Sequence, residues 1–134
     1  MLDSAAPPSG PARPPMSEPI PALSVVLTAV DGEDRAWTLA EGLVRDRLAA
    51  CVNVLGPARS FYLWEGRLEH ATEWILLLKT RADRLEALRS ALALRHPYAV
   101  PEILTLPPAE ASPSYAAWAE GVLGADPDGG GRRP

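Results

Sequence analysis

Cysteine, lysine and phenylalanine each occur once in these 134 residues, as Cys51, Lys79 and Phe61, and histidine occurs only as His70 and His96. A single cysteine excludes an intrachain disulfide and any cysteine-rich zinc site, so a hydrophobic core must hold the fold. A chain of this length can build one such core without covalent staples. No run approaches the roughly 18 apolar residues of a membrane helix, and no continuous apolar segment of the signal-peptide kind is present. The expected setting is therefore the cytoplasm, with no membrane partner. Thirteen basic against 17 acidic side chains give a net charge of −4, without the basic footprint of a nucleic-acid binder. Nucleophile-elbow, phosphate-loop and dinucleotide motifs are all missing. No catalytic residue is assigned, and a binding protein is expected rather than an enzyme. Cys51 and His96 would make a nucleophile–base pair only if the fold brought them within hydrogen-bond reach.

Proline, by contrast, is plentiful and unevenly spread. Seven of 15 (Pro7, Pro8, Pro11, Pro14, Pro15, Pro19 and Pro21) fall in the first 22 residues. That composition favours solvated, extended backbone and cannot recover its ordering entropy by burial. Residues 1–22 are expected to form a disordered tail, residues 23–123 the folded domain, and residues 124–134, ending Gly-Gly-Gly-Arg-Arg-Pro, a second loose tail.

Within the domain, Leu23 to Val30 reads as a buried strand. A helix follows, capped by Asp31, with Ala36, Leu39, Ala40, Leu43, Val44 and Leu48 on one face. Ala50 to Leu55 and Ser60 to Trp64 read as one strand bent at Gly56-Pro57. Glu65-Gly66 is a tight-turn signal, and Arg67 to Thr80 returns as the partner strand. Thr80 and Asp83 match a capping box ahead of a helix carrying Leu85, Leu88, Ala91 and Leu92, which must stop before Pro97. Ile103 to Leu106 is a short strand closed by Pro107-Pro108. Ser112-Pro113 opens a last helix whose expected inward face is Tyr115, Trp118, Ala119 and Val122. The order β-α-β-β-α-β-α is that of an α+β, ferredoxin-like split β-α-β sandwich with an added C-terminal helix.

The two middle strands, at about 14 residues each, would span about 45 Å when extended. A domain of about 100 residues has a radius of gyration near 13 Å. The ribbon must bend, project or be covered by another subunit, and its first strand falls at a sheet edge, where long apolar strands are generally covered. Phe61, Tyr62, Trp64 and Trp74 cluster here as candidate interface anchors; the alternative is that they cover the domain's own helices.

Seven residues are candidates for binding chemistry. Cys51 lies in an apolar strand start and reads first as a small buried hydrophobe. Lys79, the lone lysine in an arginine-rich chain, suits a small anion or a buried carboxylate. Strand alternation puts Glu73 on the same face as Lys79. His96, at a helix end, could ligate a metal as a neutral ring, but no His-x-x-x-His or Cys-x-x-Cys spacing supplies partners. Tyr98 and Glu102 share its loop, a setting for ligand-facing groups. Glu65, Glu73 and Glu102 are the donors for a weaker, oxygen-rich cation site.

Four segments, in order, carry a family resemblance: Arg47-Leu-Ala-Ala-Cys-Val-Asn53, Trp64-Glu65-Gly66, Lys79-Thr80, and His96-Pro-Tyr-Ala-Val-Pro-Glu-Ile103, with Tyr115 and Trp118 in the last helix. Together they resemble the CutA divalent-cation tolerance family over about 100 residues, the whole expected fold. The resemblance implies a homotrimer joined by strand pairing, similar in architecture to the PII signalling proteins. It also implies a response to copper and other divalent cations, with no cofactor required. Some members carry a cysteine in the first strand and a second histidine before the His-Pro-Tyr motif, both associated with copper. Leu27 and Arg95 stand there in this chain, which argues against a tight copper site of that kind. The alternative is a PII-like sensor binding a small anionic effector between subunits near Lys79.

Overall fold

A computed structural model describes residues 21–124. The elements are β1 (Ala22–Val30), α1 (Glu33–Arg45), β2 (Cys51–Trp64), β3 (Arg67–Thr80), a short 3-10 turn (Ala82–Arg84), α2 (Leu85–Arg95), β4 (Leu104–Glu110) and α3 (Pro113–Leu123). The strands form one sheet in the order β2-β3-β1-β4, with every neighbouring pair antiparallel. The first strand begins at Ala22, one residue before the expected Leu23, and Ala22 pairs with Glu110. Of the two expected tails, residues 1–20 and 125–134 lie outside the described residues.

Strand alternation sorts the side chains between two faces. Val26, Val30, Leu76 and Leu78 point to one face and bury themselves against Leu39 and Leu43 of α1 and Leu88 and Leu92 of α2. This is the main core. Among the described residues the other face is covered at one end only, where Leu23 and Ala50 meet Ala119 and Leu123 of α3. Beyond α3 the face stays open, with Leu55, Leu104 and Leu106 exposed.

The long ribbon forms as its sequence suggests. Glu65 (φ 51°) and Gly66 (φ 79°) both take positive φ, the condition for the two-residue turn whose twist matches its strands. The register slips between Leu55 and Ala58, so the bend sits at Gly56-Pro57. A Cβ on Gly56 would lie 2.5 Å from the Trp74 ring; glycine lets that indole lie flat on the backbone.

Several local expectations fail, each for a tertiary reason. Gly32, not Asp31, is the N-cap of α1, without a side-chain cap bond; Asp31 pairs with Arg35 at 3.1 Å instead. The Thr80 hydroxyl is buried and donates to the Leu48 carbonyl at 2.7 Å, so it stitches two segments and caps nothing. Pro107-Pro108 does not close β4. The strand runs on to Glu110, and the register shift against Leu23–Val25 falls at the prolines, where an edge strand tolerates missing donors. Val44 is exposed, and so are Tyr115 and Trp118; α3 turns Ala116, Ala119 and Leu123 inward instead. The sheet offers room for alanines there and not for large rings. Trp74 is half-buried against the main core, unlike Phe61, Tyr62 and Trp64, which stand exposed on the ribbon.

Candidate functional site

The loop between α2 and β4 is pinned by His96. Its ring is buried, and Nε2 lies 3.0 Å from both the Ala29 carbonyl and Thr28 Oγ1. The Thr28 hydroxyl spends its proton on the Glu102 carbonyl at 2.6 Å, so Nε2 must carry hydrogen and donate. Nδ1 then accepts the Tyr98 backbone N–H at 3.1 Å. Burial holds the imidazole below its usual pKa, against the opposing pull of the Ala29 bond, Asp31 and Glu73. A neutral ring with both nitrogens engaged positions a loop and leaves no lone pair for a metal.

That loop delivers Tyr98 to the sheet. Its ring meets His96 edge-on, with centroids 4.8 Å apart, and its hydroxyl donates to Glu73 Oε2 at 2.6 Å. Burial, then the Glu73 bond, pushes the phenol well above its usual pKa, so Tyr98 remains a donor. Around this pair lies a groove of about 880 Å³ between the loop and the ribbon, to which Glu102 also contributes. Three candidates from the sequence, Glu73, Tyr98 and Glu102, thus come together. Asp31, Glu69 and Tyr62 join them there; alternation along β3 could have flagged Glu69, four residues before Glu73.

Cys51 and Lys79 do not join them. They are a directly opposed pair across β2 and β3, with Nζ 3.7 Å from Sγ and also donating to Asn53 Oδ1. The six residues from Glu73 to Lys79 span about 20 Å of strand, and Lys79 does not line the groove. Tyr115 of α3 completes this second cluster; burial raises its hydroxyl pKa, and the Cys51 thiol adds to the shift. Cys51 is only half-buried, beside a cation and a phenol, so the plain core reading does not describe it. His96 bonds Thr28, Ala29 and Tyr98, and Cys51 bonds Lys79; no Cys–His dyad forms. Glu65 is exposed at the ribbon tip, away from the groove lining. Among the described residues no three His, Cys, Asp or Glu side chains converge closely enough to hold a metal ion.

Sequence reasoning missed Arg84. This side chain is only 2% exposed, and it donates to the carbonyls of Arg47 at 2.5 Å, Leu123 at 2.7 Å and Gly124 at 3.4 Å. Arg47, at φ 61°, donates to the Val122 carbonyl. Two guanidiniums thus satisfy the carbonyls at the C-terminus of α3, where the helix dipole also favours positive charge. In a chain where arginine is the default cation, no sequence signal separates a buried arginine from a surface one.

An antiparallel sheet in the order β2-β3-β1-β4, with two helices on one face, is the ferredoxin-like α+β architecture, and here it carries an acid-lined groove. The model of the family described as CutA1 divalent ion tolerance protein matches residues 24–121, and the chain belongs to that family. The divalent-cation tolerance protein CutA of Thermus thermophilus is 43% identical over 94 residues, covering 70% of this chain and 91% of the relative. The crystal structure of the divalent ion tolerance protein CutA1 from Ehrlichia chaffeensis superposes with a TM-score of 0.75 at 25% identity, covering 80% of this chain and all of that one. The structure described as the periplasmic divalent cation tolerance protein CutA from Archaeoglobus fulgidus gives 0.71 at 29% identity, covering 75% and 98%.

Proposed function

We propose that this chain is a non-catalytic divalent-cation tolerance protein that works as a homotrimer and meets cations through the groove beside Tyr98 and Glu73. The supporting observation is the ribbon itself. Among the described residues its outer strand β2 is an unpaired sheet edge, and its aromatic side chains Phe61, Tyr62 and Trp64 stand exposed. An uncovered apolar edge of this length is what subunit pairing relieves. A mass near three chains by light scattering at micromolar concentration, without added metal, is the expected result; a monomeric mass contradicts the assembly.

A tight copper site does not fit the residues present. His96 has no free nitrogen, and Cys51 faces Lys79 instead of a second soft ligand. The groove carboxylates suit harder cations, held weakly because they do not converge on one point. Calorimetric titration with copper, zinc and magnesium should give weak heats reduced in Glu102→Gln. Sub-micromolar copper affinity that survives this substitution overturns the groove assignment.

A second reading, a PII-like sensor of a small anion between subunits, draws support from Lys79, which has no carboxylate partner among the described residues. Nucleotide binding abolished by Lys79→Ala would favour it. The cytoplasm is the proposed compartment, which fractionation checks; among the described residues no helix is long and apolar enough to cross a membrane.

A further inference from the structure

At the opposite end of the ribbon from its exposed aromatics, the chain's one cysteine faces its one lysine. Cys51 and Lys79 open the β2–β3 register as a directly opposed pair, and Trp64 and Arg67 close it. Alternation puts both side chains on the face away from the main core, since neighbouring Leu78 is buried in that core. Lys79 Nζ lies 3.7 Å from Cys51 Sγ and also donates to Asn53 Oδ1. Two acceptors on β2 thus hold the amine against that strand. Tyr115 of α3 stands beside the thiol, and Cys51 is half-buried, not sealed in the core.

We infer that Cys51 and Lys79 are the two ends of a reversible, oxidant-driven cross-link, a covalent bond from Sγ to Nζ. In the first step the thiol reacts with hydrogen peroxide: an S–O bond forms, the O–O bond breaks, and a sulfenic acid and one water result. In the second, the unprotonated Lys79 amine attacks sulfur, the S–O bond breaks, and the hydroxyl leaves as water with one proton taken from nitrogen. Sulfur loses the two electrons that peroxide gains, and the linked chain is two hydrogen atoms lighter than the reduced one. A sulfenic acid condenses with a second thiol or with a nearby nitrogen. This chain has no second thiol, and the nitrogen in contact with the sulfur is Lys79. A dithiol reverses the link, returning thiol and amine as it closes to its own disulfide. Both reacting atoms belong to one chain and the reagent is little larger than water, so the step needs no open ligand surface. Nothing in this chemistry depends on the groove beside Tyr98. Oxidation also removes the lysine charge, and with it the cation on which an anion site at this end of the ribbon would depend.

The test treats the full chain, freed of small thiols, with hydrogen peroxide and maps its tryptic peptides by mass before and after dithiothreitol. Trypsin cuts after Arg47, Arg59, Arg67, Lys79 and Arg81. The expected product joins residues 48–59 to residues 68–81, uncut after Lys79 and two hydrogens lighter than the separate peptides; dithiothreitol should release both. In Lys79→Arg, which keeps a cation at that position, the link should disappear. Its sulfenic acid should then be trapped by dimedone or pass on to sulfinic acid. Circular dichroism verifies the fold of the variant, and the wild-type map decides the question without it. Cys51 recovered as sulfinic or sulfonic acid, with Lys79 still cut by trypsin, overturns the inference. So does a thiol that peroxide leaves unchanged, as it would be if a neighbouring subunit sealed it, and so does a disulfide between two chains. A linked pair that retains one oxygen overturns the direct nitrogen–sulfur bond.

Discussion

His96 makes folding sensitive to pH. Its folded-state pKa is depressed by burial, so between that value and the unfolded value near 6.5 the unfolded chain binds more protons. The stability this residue contributes is complete above about pH 6.5 and is lost as pH falls through the folded pKa. Thermal melts between pH 7.5 and pH 5 should show a decline that His96→Asn flattens. Arg84 acts differently. Arg84→Met should cost about 2 to 3 kcal/mol by leaving charged-group hydrogen bonds unmade, read by urea unfolding, with the earliest loss of exchange protection in α3. Arg84→Lys should recover little, because an ammonium cannot reproduce the planar fork that reaches three carbonyls. The two residues also differ in legibility. His96 stood out as a rare residue at a helix end, although both its ring nitrogens are taken up by internal hydrogen bonds. Arg84 could not be found, because burial of a charge depends on which carbonyls the fold brings around it.

At the level of elements, the β2–β3 ribbon and the two core helices were readable from periodicity, since alternation and the 3.6-residue stripe report which face is buried. Leu78→Ala, at a fully buried site between sheet and helices, should lose about 2 to 5 kcal/mol in chemical denaturation. Gly56→Ala should lose about 1 to 3 kcal/mol, because the Trp74 ring occupies the space of the new methyl. Combining it with Trp74→Leu should recover part of that loss. The ends of elements were less readable. Caps at Asp31 and Thr80 matched local patterns, yet Arg35 claimed the first side chain and the Leu48 carbonyl the second. Tyr115 and Trp118 looked like a buried stripe on hydrophobicity alone, but the packing of α3 is decided by the distance of closest approach, which favours its alanines.

For the whole molecule, the sheet has a covered face and, among the described residues, a largely open one, and both edge strands, β2 and β4, lack an outer neighbour among those residues. Exposed Leu55, Leu104 and Leu106 on the open face add apolar area to the edges. Tyr62→Lys with Trp64→Lys should shift the sedimentation profile toward monomer if the ribbon is the contact surface, while the far-ultraviolet spectrum of the domain stays unchanged. An undiminished trimer would move the contact elsewhere on the molecule.

Element order, the length of the ribbon, its turn and its bend follow from the sequence alone, because local backbone preferences and the alternation of apolar residues are written residue by residue. The same holds for the family segments. Tertiary structure alone decided that Glu73, Tyr98 and Glu102 share a groove while Lys79 and Cys51 stand apart, and that His96 spends both nitrogens internally. Those outcomes depend on which strands become neighbours and on where a loop crosses the sheet, and contacts between residues distant in the chain leave no local trace.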